Sequence, residues 1–327
     1  MVFTTTIKES VDLHNVAGSN TEKTFMGLWC LLTSFFAFTG NVMVLYASIK
    51  HNAIKLDKIS SVLIKNIALA DIGYSIYIVI TFVSIVNDGW VFGNVLCDIT
   101  NYMHLFFGIA EIYLICALNV SKLHVLLFPM QARVRSAKSG QLIAIAMWSI
   151  MPVFHMIPAI ILGRVQTFRL SFYRCEGYFT GVSKIEKFFP MYAALCFVIM
   201  PMLVVVIAII WLFYYVRKVQ GLQKQTIVTL LLISLCYFCS YLPYGVYYIM
   251  KAVVPAIESN VPISLHYYRF SLFMCYLNFS ANPVIYIVTV KSYQEFLKDT
   301  CIATKNIVKD AKTAVTHRMW SSSSGTS

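Results

Sequence analysis

Seven apolar stretches divide the 327-residue chain, at about 25–49, 59–86, 99–127, 139–161, 188–216, 225–251 and 263–289. Each is close to or longer than the ~20 residues that cross a bilayer core as a helix. Inside lipid no water meets the backbone, so a segment of this length must satisfy its own N–H and C=O groups, which a helix does. The expected fold is therefore all-α, a seven-transmembrane helix bundle. Composition agrees: 59% of residues are hydrophobic and 12% charged, against about 45–50% apolar in soluble domains. One membrane domain at 25–290 follows, after a polar tail at 1–24. The segment 291–327 reads as a short interfacial helix and a disordered tail. KSYQEFLKDTC sets Tyr293, Phe296 and Leu297 among charges at near-helical spacing, and MWSSSSGTS carries nothing to bury.

The net charge of +12 is spread in short clusters between the apolar runs, which points to membrane orientation and anionic lipid and away from nucleic acid. Lys50, Lys55 and Lys58 lie in the first connection, Arg133, Arg135 and Lys138 in the third, and Arg217, Lys218 and Lys224 in the fifth. The connection NDGWVFGN after the second run has Asp88 and no base. The loop at 163–187 carries five basic residues, but long loops weigh less. The expected arrangement is a multi-pass plasma-membrane protein with its N-terminus outside and its C-terminus cytoplasmic. No cleavable signal peptide is expected, because residues 1–24 contain no apolar core.

Cys97 and Cys175 would both face the oxidising side, which permits a bridge between them. Cys30, Cys116, Cys196, Cys236, Cys239 and Cys275 sit within apolar runs and read as packing residues. Cys301, beside the interfacial segment, is either a palmitoylation site or a bare thiol.

Helical rise places the polar residues in depth. Measured from the outer edge at about 1.5 Å per residue, Asn41 and Asp71 lie about 24 Å down, Glu111 about 21 Å below Cys97, and Asn278 and Asn282 about 23 and 28 Å down. These five residues come from four helices and share one layer, so they satisfy one another or hold an ion. Lys122 comes about 37 Å below Cys97, beyond a hydrocarbon core of about 30 Å, so its ammonium is expected to snorkel into water at the cytoplasmic mouth.

In order along the chain stand Gly40-Asn41, IALAD ending at Asp71, WVFG at 90–93 before Cys97, Trp148, Pro201, Pro243, and NPVIY at 282–286. This series resembles the rhodopsin-like, or class A, G-protein-coupled receptors over nearly the whole chain. The resemblance implies a Cys97–Cys175 bridge and a sodium and water site at Asn41, Asp71, Asn278 and Asn282. Pro201, Pro243 and Pro283 resemble the family's helix-kinking prolines, either as switches or as plain kinks. The family's partners would be an extracellular ligand and a heterotrimeric G protein.

The departures matter as much. Where the family has Asp/Glu-Arg-Tyr, this chain has Ser121, Lys122 and Leu123. Lysine keeps the charge and loses the planar fork. Gln223 stands near the place of the acid that closes the family's ionic latch, Tyr241 replaces a tryptophan two residues before Pro243, and Ile209 replaces a tyrosine. The layout is opsin-like, but the position of the retinal lysine holds Tyr276, so a retinal Schiff base of the opsin kind is not expected. The place where amine receptors carry an acid holds His104.

An outer-half pocket is expected from His104, Leu105 and Gly108, from Tyr241, Tyr244 and Tyr248 at i, i+3, i+7, and from Phe273 and Tyr276. It suits a small, mostly apolar ligand with one or two hydrogen bonds; the alternative is helix packing. His104 is either a pH-sensitive contact or a satisfied buried imidazole. Glu111 beside Asp71 is either a partner in a shared proton or sodium ion, or a neutral structural acid. Lys122, Arg133, Arg135, Arg217, Lys218 and Tyr286 would form the transducer face. The function expected is a signalling receptor and not an enzyme, since HExxH, GxSxG and metal-spaced histidines are missing from the chain. The alternatives are a proton- or ion-coupled transporter, against which the lack of repeats counts, and a non-coupling decoy receptor.

Overall fold

The computed structural model describes residues 19–50, 57–161, 164–169, 173–179, 191–192, 194–253, 261–291, 293–300, 302 and 305. Among them are seven helices long and apolar enough to cross a membrane. The first span is Asn20–Lys50. It starts ahead of the apolar run because Ser19 Oγ accepts the backbone N–H of Glu22 at 3.2 Å, one half of a capping box. The second, Lys58–Val86, is capped by Asp57, whose carboxylate accepts from the Ser60 backbone at 3.0 Å and from the Ser60 hydroxyl at 2.8 Å. The third is Gly93–Leu127. Gly93 has φ +76, a left-handed value that glycine adopts freely, and its carbonyl accepts from Trp90 Nε1 at 2.7 Å.

The fourth span runs Ala137–Met151, widens into a π-turn at Pro152–Met156, and resumes at Ile157–Ile161. The fifth opens with a π-turn at Leu195–Ile199 and continues as Met200–Val216. The sixth is Gly221–Val253 with Pro243 inside it, and the seventh is Val261–Thr289 with Pro283 inside it. Residues 293–300 are helical, with Phe296 against Tyr46 and Tyr293 against Tyr286, so this short helix lies on the ends of the first and seventh spans.

The long connection after the fourth span contains a feature that apolar periodicity does not reveal. Arg164–Arg169 (β1) and Arg174–Phe179 (β2) pair antiparallel, with Arg169 opposite Arg174. Cys175 of β2 is bonded to Cys97, with Cα atoms 5.5 Å apart, which ties the hairpin to the third span. This is the disulfide end of the bundle.

The first span packs on the second and seventh, the second on the third and fourth, the third on the fourth and fifth, and the sixth on the fifth and seventh. Large apolar side chains such as Phe35, Phe36, Ile207, Ile210 and Trp211 face outward and remain exposed, as a lipid-facing surface requires. The first and seventh spans touch at Gly40, where a Cβ would lie 2.7 Å from Pro283 Cγ. That approach answers a backbone problem. Pro283 has no N–H to give the Phe279 carbonyl one turn back, and Asn41 Nδ2, beside Gly40, donates to that carbonyl at 3.0 Å. The fifth span solves its proline in the same way. In the π register Pro201 leaves the Cys196 carbonyl without a donor, and the Tyr113 hydroxyl of the third span supplies one at 2.7 Å.

Candidate functional site

At the disulfide end, three side chains from three elements form a hydrogen-bonded chain. Arg174 Nη1 lies 3.0 Å from His104 Nε2, and His104 Nδ1 lies 2.6 Å from Tyr74 Oη. A guanidinium only donates, so Nε2 accepts. His104 is therefore neutral with its proton on Nδ1, and it donates that proton to Tyr74. Tyr74 in turn stacks on Phe279, ring centres 3.6 Å apart and 10° from parallel. Tyr77, Tyr276, Phe273 and Tyr268 complete the aromatic group. Gly108 leaves room beside Tyr74 and Tyr241: a Cβ there would meet Tyr74 at 3.4 Å and the Tyr241 hydroxyl at 4.0 Å.

The structure sorts the expected pocket residues. His104, Gly108, Tyr241, Phe273 and Tyr276 are buried together at this end, and Tyr244 packs near Tyr268. Leu105 lies elsewhere, packed against the cluster of Ile109 and Phe197 on the side of the fifth span. The reason is rotation: one residue past His104 turns about 100° around the helix axis. The Tyr248 side chain lies outside the described residues.

The polar layer sits one step deeper. Asn282 Nδ2 donates to Asp71 Oδ2 at 3.0 Å, and Asn278 Nδ2 donates to Glu111 Oε1 at 2.5 Å. The Tyr241 hydroxyl reaches Glu111 Oε2 at 3.4 Å, which connects the layer to the aromatic group above it. Glu111 and Asn41 lie beside Asp71, yet Asp71 Oδ1 and Asn41 Oδ1 make no well-aligned hydrogen bond among the described residues. Two buried carboxyls thus share a site with two oxygens that still accept. No group of three or more His, Cys, Asp or Glu side chains able to hold a metal occurs among the described residues.

At the end away from the disulfide, Lys122 departs from the sequence expectation. Its side chain is 8% exposed and does not reach into water; its ammonium pairs with Asp57 Oδ2 at 3.2 Å. The second span begins beside the last turns of the third, so the capping carboxylate of one helix covers the lysine of the other. Burial pulls the Asp57 carboxyl up, but the Lys122 charge and the Ser60 hydrogen bonds outweigh it and hold Asp57 below its ordinary value. Nearby, Asn119 Oδ1 accepts from Ser234 at 2.9 Å, and Thr229 donates to Thr289 at 2.9 Å, so the sixth span is tied to the third and the seventh. Arg217 and Lys218 are exposed, with Lys218 over the Tyr214 ring and bonded to its hydroxyl; Arg135 is half-buried. Tyr286 is buried against Tyr293. The Arg133 and Gln223 side chains and Cys301 lie outside the described residues.

The pattern of the seven-transmembrane receptors of the rhodopsin family matches residues 40–286. The chain belongs to the rhodopsin family of seven-transmembrane receptors. The receptor is also 26% identical over 124 residues to an octopamine receptor beta-2R of Chilo suppressalis, a match covering 38% of this chain and 31% of that protein. Family membership makes it a multi-pass membrane protein of the receptor class.

Three residues of the receptor's sites escaped the sequence reading. Arg174 is only one of five bases in a long loop, and apolar periodicity sets neither Tyr74 nor Asp57 apart. The S-x-x-E at Ser19 and the Asp57-x-x-Ser60 cap were the available local signals, and the latter could have marked Asp57.

Proposed function

We propose that this receptor binds an extracellular small ligand in the half of the bundle at the disulfide end, and signals through the opposite, cytoplasmic end. The N-terminus then lies outside and the C-terminus inside, as the basic connections require. The observation that carries the reading is the Tyr241–Glu111 contact at 3.4 Å. It joins the aromatic group around His104 to the polar layer through one hydroxyl, so a ligand that shifts Tyr241 also shifts the carboxyl pair. The sixth and seventh spans then move with respect to the third. A ligand drives this only through its different affinity for the two arrangements.

The Asp71 and Glu111 carboxyls, with Asn41, Asn278 and Asn282 around them, suit one shared proton or one sodium ion; the two accepting oxygens on Asp71 and Asn41 are what such a species would meet. The likeness to an octopamine receptor covers too little of either chain to carry a ligand across, and His104 occupies the place of the amine-anchoring acid.

At the cytoplasmic end Lys122 is the residue that engages the transducer once Asp57 lets it go. With it Arg133, Arg135, Arg217 and Lys218 would form a basic face, and Tyr286 would support it. The lysine is covered by Asp57, and this observation favours a second reading, a receptor that binds ligand and couples weakly.

The test is a ligand screen on the full chain in cells, read by cyclic-nucleotide and calcium signals. An active compound should lose its signal in Lys122→Ala while its binding stays within about threefold, since Lys122 lies more than a Debye length from the aromatic group. A signal that survives Lys122→Ala rules out this route, and ligand binding with no signal in the native chain selects the weakly coupling reading.

A further inference from the structure

Lys65 is a cation set where the second span meets lipid. It stands seven residues after Lys58, the first residue of that span. Neither lysine makes an ion pair or a hydrogen bond among the described residues. We propose that Lys58 and Lys65 hold the headgroup of an anionic phospholipid, at the end of the bundle away from the disulfide, in the groove between the second and fourth spans. This site lies apart from the aromatic group around His104.

Depth comes first. The second span has 29 residues. At about 1.5 Å per residue it is about 44 Å long, against a hydrocarbon core of about 30 Å. Centred on that core, it projects about 7 Å at each end. Lys65 lies about 10 Å along the helix, so its Cα sits about 3 Å inside the apolar slab, and Lys58 sits outside it among the headgroups. An ammonium at the deeper position is costly without a counter-charge, and its four-carbon stem can carry it back to the interface. The phosphate layer then falls between the two lysines.

Azimuth agrees with depth. Lys58, Val62, Lys65, Leu69, Ile72 and Ile76 follow one another at steps of three and four residues and share one face of the helix. Lys58, Leu69 and Ile76 are exposed, and Val62, Lys65 and Ile72 are half-buried. The face is one that lipid covers, with two cations at its start and apolar side chains below them. That is the order of charge and hydrocarbon in a phospholipid.

The fourth span closes one side of this face. Gly140 lets the two helices approach: a Cβ there would lie 3.2 Å from Ile59 Cα and 3.2 Å from Val62 Cβ. Deeper along the same seam, Trp148 Nε1 donates to Asn66 Oδ1 at 3.0 Å, and Asn66 is the neighbour of Lys65. Lys65 therefore stands at the edge of a fixed seam between two helices.

The nearby acid is already engaged. Asp57 pairs with Lys122 at 3.2 Å and caps the second span through Ser60. Ser136 caps the fourth span by accepting from the Ser139 backbone at 3.4 Å, so the helix starts themselves are closed. What remains is two lysines of like charge about two turns apart. A headgroup with net negative charge relieves both, whereas phosphatidylcholine brings an ammonium of its own and relieves them less.

The experiment uses the purified full-length receptor in nanodiscs of phosphatidylcholine, with phosphatidylserine titrated in, and reads the melting temperature. It should rise saturably. The midpoint in phosphatidylserine should move up about fivefold in Lys65→Gln, which corresponds to about 1 kcal/mol for one lysine near an anionic surface. Lys58→Gln should move it in the same direction, and Lys65→Arg should leave it in place. Lys218→Gln, which removes an exposed charge from the fifth span's end, should not move it. If Lys65→Gln does not fold, Lys65→Leu, which continues the apolar face, takes its place with the same expected shift. Glycerophosphoserine, the headgroup without acyl chains, should leave the receptor in phosphatidylcholine discs unchanged; a response to it overturns the lipid as occupant. A midpoint that the Lys58 and Lys65 variants do not move, or that Lys218→Gln moves as far, reports attraction to the whole basic surface and overturns the site. The absence of any response to phosphatidylserine overturns it as well.

Discussion

Lys122 and Asp57, 65 residues apart in the chain, meet at 3.2 Å across the ends of the third and second spans. The aspartate does two things with one carboxylate. It caps the second span through Ser60, and it neutralises a lysine that the third span would otherwise bury alone. The family latch runs through an acid beside the charged residue of the third span. Here that neighbour is Ser121, whose hydroxyl is buried without a hydrogen-bond partner among the described residues, and the acid comes from the start of another helix.

Asp57→Asn separates the two roles. Asparagine caps a helix as well as aspartate does, so the second span should keep its first turn. The Lys122 ammonium loses its counter-charge, at a cost of about 1–2 kcal/mol once the 26% exposure of the Asp57 side chain is allowed for. The expected result is a melting temperature a few degrees lower and a raised signal in the absence of ligand, measured in the cyclic-nucleotide assay. The pH dependence has a definite sign. The Asp57 carboxyl is held below its ordinary value of 3.8, so the contribution of the pair is complete at neutral pH and is lost as pH falls through that lower value. Stability of the native receptor attributable to this pair should be flat from about pH 5 to 8, and a loss of the Asp57-dependent difference within that window contradicts the assignment.

Tyr113→Phe tests the repair of the fifth span. The substitution removes one oxygen and leaves the ring in place beside Phe197, whose centre is 6.5 Å away. The Cys196 carbonyl, already deprived of a backbone donor by Pro201, then has none from the third span. A loss of about 1–3 kcal/mol is expected, the cost of stranding a buried acceptor, read as a fall in melting temperature. An unchanged melting temperature would mean that the carbonyl finds another donor and that the π-turn does not depend on the third span.

Much of the architecture was legible in the order of residues, because lipid admits few solutions. A run of about 20 apolar residues has to be a spanning helix, and the polar layer of Asn41, Asp71, Glu111, Asn278 and Asn282 followed from helical rise alone. What stayed hidden depends on rotation and on loops. Helical rise put Lys122 near the far end of the third span from Cys97, where it lies, but the partner that keeps it from water lies in a connection whose path no periodicity records. Leu105 has the right depth and the wrong azimuth. Arg174 meets His104 from a hairpin that a disulfide ties to the third span, and that is not a pattern of apolar residues.

Glu111→Gln addresses the species held in the polar layer. Glutamine preserves the size of the side chain and an oxygen for Asn278, so the helices should pack as before. It removes one of the two acids beside each other and replaces the oxygen that Tyr241 approaches with an N–H₂ group. If a proton or a sodium ion is shared between Asp71 and Glu111, ligand affinity in the native receptor should respond to replacing sodium by N-methylglucamine and to pH between about 5.5 and 8, and the variant should lose at least one of these responses. Affinity itself should shift even in sodium-free buffer, because the Tyr241 link is altered. A variant that keeps both responses, while Asp71→Asn abolishes them, would place the ion or proton on Asp71 alone and leave Glu111 as a neutral structural acid hydrogen-bonded to Asn278.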